Sequence, residues 1–351
     1  MKKISILALM LLMLAGLKVS SQSYLILARP VDSKDWGYYN LKGEAVIQPQ
    51  FKNAIGFDES GLAAIYEPKA KEFYFIKANG EKLQTEVSGF KLMEIFGFGM
   101  KGFRDGMAPV KIDDKWGFLN TQGKLTVAAT FDKVTQFNSG FASGQKGGKF
   151  YVIGKNGQET LIDIPGLADV TEFSEQLAVY KTPDDMVGYI DGAGKIVIPA
   201  KFKSAGDFTA GFAWAKDVTG SVGYIDTKGE FVVPPKFEAG KNFDPGTGLA
   251  RVKLGGNWAY TDKTGNMTFV KDTEIWEDFF NGLARGKKGG LFGFYNAKGE
   301  WVIAPQFDGA RDFNNGYASV KKGDKWGVID TNGNWVIEPK FDEIKDVEIV
   351  K

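Results

Sequence analysis

Short apolar runs separated by glycine turns recur along this chain, and one span, YASVKKGDKWGVIDTNGNWVIEPKF (Tyr317–Phe341), shows the full pattern. It reads as three strands of five or six residues: an LA strand (YASVK), a WG strand (KWGVID) and a VI strand (NWVIEP), named for their commonest residue pairs. Nine units share one spacing, from a large residue to a turn glycine seven positions later: Trp36/Gly43, Phe73/Gly80, Trp116/Gly123, Phe150/Gly157, Val187/Gly194, Val222/Gly229, Trp258/Gly265, Phe292/Gly299 and Trp326/Gly333. Three residues before that glycine, seven units carry Asp or Asn, as at Asn40, Asp226 and Asp330. A side chain that bonds its own backbone, followed by glycine at the fourth position, specifies a tight hairpin, here a type I turn with a left-handed glycine bulge.

A proline and then an aromatic follow most VI runs, as in Pro49/Phe51, Pro235/Phe237, Pro305/Phe307 and Pro339/Phe341. Proline lacks the donor a continuing ladder needs, so the VI strand is expected to stop there. Six residues beyond that Phe stands a second apolar anchor, as in Phe131/Phe137, Phe307/Phe313 and Phe341/Val347, which pins the coil to the next unit. The LA strand then opens with a large residue and an alanine that never varies: Ala28, Ala63, Ala108, Ala142, Ala178, Ala213, Ala250, Ala284 and Ala318. The intervals put the period near 36 residues. A constant alanine marks a position where a larger side chain collides. The glycine after the large residue (37, 117, 188, 223, 293, 327) is expected to let a neighbouring ring lie on the backbone.

A three-stranded meander cannot bury both faces alone, so the units must stack. The expected fold is an all-β tandem array of nine three-stranded antiparallel units. A period near 36 is short for a propeller blade of ~40–50 residues, and nine exceeds the usual four to eight blades. An open superhelical stack is therefore expected over a closed propeller-like ring. An outer-membrane barrel is disfavoured, because its strands need ~9–11 residues. The one large irregularity is Gly89–Phe103, an apolar, glycine-rich insertion in the second unit.

The combination of WG, D-x-x-G, VI-x-P-x-F and F-x-x-G-x-A resembles the WG-repeat family of bacterial tandem arrays, over essentially all of residues 22–351. The resemblance implies a repeat scaffold and supplies no catalytic motif to carry over to numbered positions. Units two and four depart from it, with Tyr74 and Tyr151 where the glycine stands.

Ahead of the repeats, residues 1–21 have the layout of a secretory signal. Lys2 and Lys3 precede an apolar run over Ile4–Leu17, and small residues follow, with cleavage expected after Ser21. The run is short for a bilayer span, which takes ~20 residues, and no later segment reaches that length. The expected location is therefore periplasmic, cell-surface or extracellular. Removing the segment takes three lysines and no acid from a chain with 44 Lys and Arg against 43 Asp and Glu, so the remainder is near neutral with its charges interspersed. No footprint for nucleic acid appears.

The chain has no His and no Cys. That excludes Ser-His-Asp and Cys-His nucleophiles, His/Cys zinc sites and haem attachment, and no cofactor or metal is expected. Carboxylate chemistry of the glycoside-hydrolase kind remains, with Asp105, Glu172, Glu277 and Asp278 near strand ends. Turns of three or four residues do not supply the six to eight oxygens calcium takes. The candidate binding residues are Trp301 and Trp335, 34 apart in one column of adjacent units, with Phe231 in that column two units earlier. They form either a packed core column or an exposed ladder for the apolar faces of sugar rings. The expected function is an exported, non-enzymatic scaffold for a protein or polysaccharide partner; the alternative is an extracellular carboxylate-dependent enzyme acting on glycans.

Overall fold

The computed structural model describes residues 23–95 and 99–350, and the expected signal segment lies outside them. No helix occurs among the described residues. The chain is all-β, and its described residues form antiparallel strands in small sheets: six of four strands, one of three, one of two and one of seven. The LA, WG and VI strands form as the pattern predicts. In the ninth unit Tyr317–Lys322 pairs with Lys325–Asp330, Ala318 standing opposite Ile329, and Lys325–Asp330 pairs in turn with Trp335–Val350. At the seven hairpins that carry the acid or amide, that side chain caps its own turn. Asn40 accepts at Oδ1 from the N–H groups of Lys42 and Glu44, and the Gly43 N–H donates to the Asn40 carbonyl at 2.9 Å. Gly43 sits at φ 73°, where a Cβ strains the backbone.

Three expectations need correction. First, most sheets hold four strands, not three. The coil after the VI strand contains a short strand of its own, the inner strand, such as Lys133–Val134, Asp169–Val170, Ser204–Ala205 or Gly309–Ala310, which pairs with the free edge of the LA strand. Backbone groups on that edge need partners once buried, and two residues suffice to satisfy them.

Second, the VI strand runs through its proline. Ala45–Phe51, Phe231–Phe237 and Trp301–Phe307 each continue to the Phe. The register explains why: Tyr38 faces Ile47 but Trp36 faces Phe51, so the VI strand bulges outward between those pairs and the proline sits in the bulge. Gly37 lies beneath it, and a Cβ there would stand 2.7 Å from the Ile47 carbonyl oxygen and 2.9 Å from the Pro49 nitrogen. Gly293 and Gly327 are overhung in the same way, by the carbonyl oxygens of Ile303 and Ile337 at 2.5 Å. The constant glycine thus makes room for its own unit's VI backbone, ahead of any neighbouring ring. Where Tyr74, Tyr151 or Ala259 replaces it, the VI strand shrinks to an isolated bridge at Lys82, to Glu159–Leu161 or to Met267–Thr268.

Third, an open stack leaves its two end units unpaired, and here they meet. Ser23–Pro30 pairs antiparallel with the second half of Trp335–Val350, from Ser23 opposite Val350 to Pro30 opposite Phe341. One sixteen-residue strand therefore serves as VI strand of the ninth unit and inner strand of the first.

The core lies between units. Leu27, Tyr38 and Ile47 pack with Ala63 and Ile65 of the second unit; Val179, Tyr189 and Phe202 pack with Ala213, Ala215 and Ile225. Similar clusters join each unit to the next, and one joins Val328, Ile337 and Phe341 of the ninth to Ile26, Ala28 and Tyr39 of the first. All nine constant alanines are 1 % exposed or less. Ala213→Leu should overpack such an interface and cost ~1–3 kcal/mol, whereas Ala193→Leu, on an exposed turn, should be silent. Equal denaturant midpoints for the two variants would show that the column does not set the packing. Of the insertion, Lys91–Leu92 serves as the third unit's inner strand and Glu94–Ile95 pairs with Gly99–Met100. Phe90, Leu92 and Phe103 are buried between the second and third units.

Candidate functional site

Trp301, Trp335 and Phe231 open their VI strands, half-buried; Val302 and Val232 after them face out, Val302 at 44 % exposed, whereas Val336 packs against the cluster between the ninth and first units. Each ring has its own edge-on partner. Trp335 meets Phe307 of the preceding unit at 5.8 Å, Phe231 meets Phe202 of the preceding unit at 5.7 Å, and Trp301 meets Tyr295 at 5.5 Å. These contacts tie the column into the clusters between units, so most of the ring area a sugar would stack on is engaged in packing.

The acids near strand ends serve as ties. Asp105 accepts from the Gly140 N–H and from Lys155 Nζ, both at 2.6 Å. Glu172 pairs with Arg104, reaching from the fifth unit to the third. Arg251 Nη1 stands 3.2 Å from Glu277, and its Nε 2.9 Å from Asp278.

Sequence reasoning missed what the inner strands assemble. The residue before the coil's second anchor is acidic in five units: Glu172, Asp207, Asp278, Asp312 and Asp346. Burial pushes every one of these carboxyls above its ordinary value, while nearby guanidinium groups pull back. Two of the arginines come from the position after the constant alanine, where Arg251 faces Asp278 and Arg285 faces Asp312 at 2.7 Å; Arg104 and Arg311 come from the coils ahead of the LA strands. Side chains at the position after the constant alanine also cap carbonyls of the next inner strand, Arg285 donating to Ala310 at 2.8 Å and Ser319 to Lys345 at 2.8 Å. The signal was present as a column of acids, which reads as a solvated edge until the strand pairing places it.

A second ladder runs through buried tyrosines. Tyr38, Tyr189, Tyr224 and Tyr260 donate their hydroxyls to the carbonyls of Ile55, Gly206, Lys241 and Glu277, each 17 residues on in the next unit, at 2.5–2.8 Å. Burial pushes all four phenols well above their ordinary value of 10.0, and Tyr295, bonded to Tyr260 at 2.6 Å, to about 12. The folded state therefore holds these protons more tightly than the unfolded chain. Their contribution is full below about pH 10 and is lost as the pH rises beyond it. The melting temperature should fall steeply above that pH, in step with the phenolate absorbance. Phenolate appearing gradually in a chain that melts unchanged would refute the ladder's role.

The sixth, seventh and eighth units also frame a cleft of ≈ 490 Å³, whose lining includes Trp214, Lys241, Asn242, Arg251, Asp278 and Phe280.

The family model for the WG-containing repeat matches residues 36–67, 99–116, 116–150, 188–217, 223–258, 292–326 and 326–348, more than half of the chain. The chain belongs to the WG-repeat family. No curated protein matches the sequence. Among solved structures, this WG-repeat chain is similar to the crystal structure of the eukaryotic initiation factor, with TM-score 0.61 and 14 % identity over 93 % of this chain and 98 % of that one. At such identity the likeness shows the fold alone. Apo AztD from Citrobacter koseri gives TM-score 0.43 at 13 % identity, over 94 % of this chain and 99 % of that one. BamB from Moraxella catarrhalis gives 0.36 at 13 % identity, over 67 % and 85 %.

Proposed function

We propose that this WG-repeat protein is an exported, non-enzymatic binding scaffold whose nine units close into a propeller-like ring. Nine units in an open stack have eight interfaces; the ninth cluster, between the last unit and the first, supports closure. So does the strand shared by the seven-stranded sheet. Closure also removes the two exposed sheet edges that an array would otherwise offer to other chains.

The observation that carries the binding reading is the engagement of the acids. Asp105, Glu172, Glu277 and Asp278 each stand in a tie between units, paired with Lys155, Arg104 or Arg251. Glycoside hydrolysis asks for two carboxyl groups flanking one bond, and carboxylates committed to cations across unit boundaries are poorly placed for that work. Export rests on the basic start, apolar run and small residues of positions 1–21. The partner is a protein or a polysaccharide.

Two measurements test the reading. The mature chain should be recovered outside the cytoplasm with its N-terminus at Gln22, and it should release no reducing ends from polysaccharides. A cytoplasmic, unprocessed chain would overturn export. Steady release of reducing ends, abolished by Glu277→Gln, would put the carboxylate enzyme in place of the scaffold.

A further inference from the structure

The geometry points to the cleft between the sixth, seventh and eighth units as a saccharide-binding site, which takes a neutral pyranose unit of an oligosaccharide; the inference deepens the binding-scaffold reading and rests on it.

Departures from the repeat gather at this one place. The position after the constant alanine holds a tryptophan in the sixth unit, Trp214, and no aromatic in any other. The position after the coil's second anchor is polar or charged in eight units and Phe280 in the remaining one. Phe280 is 44 % exposed, so it is not held there for the core. The turn Asp244-Pro245-Gly246-Thr247-Gly248 stretches the interval between alanines to 37, and its inner strand, Ala239–Phe243, loses register between Gly240 and Phe243. Residues 275–278, which lead to Phe280, carry no strand. Repeat positions under packing constraint hold to their column; these depart from it, and Trp214, Phe280, Asp244, Pro245 and Asp278 among them border one cavity.

The lining has the chemistry of a sugar site. Trp214 is seated against Gly206, where an added Cβ would overlap the indole. That ring and Phe280 offer apolar faces to the C–H face of a pyranose. The same lining holds the Arg251–Asp278 ion pair, 2.9 Å apart at Nε and Oδ1, together with the polar side chains of Thr209, Lys241 and Asn242. A sugar hydroxyl both donates and accepts, and so suits a wall that offers an ammonium, an amide and a hydroxyl together. Lys241 and Arg251 balance Asp244 and Asp278 around the wall, which favours a neutral ligand over an ion. A volume of ≈ 490 Å³ falls within the ~300–1,000 Å³ of small-ligand pockets.

The test is calorimetric titration of the mature chain, residues 22–351, with cellohexaose, maltohexaose and chitohexaose at up to millimolar concentration. At least one is expected to bind saturably, and Trp214→Ala and Phe280→Asn each to weaken it by about ten-fold or more, the loss of one aromatic face. Phe280→Asn restores the polar kind found in the other units, so it leaves the melting temperature unchanged and carries the test even where Trp214→Ala disturbs the fold. Binding that survives Phe280→Asn overturns the cleft as the site and leaves the scaffold standing. No binding of any of the three overturns the saccharide, and the fractionation and reducing-end assays then judge the scaffold by themselves.

Discussion

Ending the chain at Phe341 should abolish cooperative folding of the array. The missing segment forms the inner strand of the first unit, and it places Ile344, Val347 and Val350 in the core at 1 %, 1 % and 4 % exposure. Burying such side chains is worth about 1.5–3 kcal/mol each, so roughly 5–9 kcal/mol is lost, against about 5–15 kcal/mol for a whole domain. Removal also strips carbonyl partners from the ninth unit, because Arg311 donates to Ile344 at 2.9 Å and Ser319 to Lys345. The freed edge of Ser23–Pro30 becomes a template for aggregation. Circular dichroism and gel filtration check the outcome. A truncated monomer that melts within a few degrees of the full chain would show that the shared strand is an ornament and that the array does not depend on closure.

The paired change Trp301→Ala and Trp335→Ala should destabilise the units from the eighth onward by about 3–5 kcal/mol for each ring so far as it is buried. Trp335 holds the ninth unit to Phe307 of the eighth. Trp301 packs on Tyr295, and its indole reaches over Gly286, where an added Cβ would lie 2.5 Å from Cη2. A ladder that served a glycan would instead leave the melting curve in place and remove retention on a polysaccharide gel. A large fall in melting temperature with no change in retention is the expected result, and an unchanged melt would restore the ladder.

The two changes also show where sequence reasoning was strong and where it stopped. Turn chemistry is local: an Asp or Asn that bonds its own backbone three residues before a left-handed glycine needs nothing distant, and Asn40–Gly43 folds as read. The alanine column is nearly as direct, since invariance across nine units within one chain is itself a statement about space. The glycine after Trp was read as making room for a ring, and rings do lie against Gly223 and Gly327, those of Phe231 and Trp335, but they are not the nearest occupant. Its partner is the bulged carbonyl of the same unit's VI strand, and a bulge depends on register between strands that no single-strand pattern contains. Trp301 and Trp335 share a column by arithmetic, yet the column faces the preceding unit, a fact about packing between units that spacing alone leaves open.

By itself, then, the sequence determined the repeat, its antiparallel strands, its hairpins and the burial of its alanines, because each depends on contacts within a unit or on one spacing repeated nine times. Only the tertiary structure decided that Trp335–Val350 serves two units, and that the acids of the inner strands pair with arginines one or two units away. Only there do Trp214 and Phe280, 66 residues apart, border one cleft. The reason is physical. A period sets how each unit turns onto the next only to within a few degrees, and nine such turns accumulate, so whether the last unit reaches the first depends on interface packing summed around the whole array.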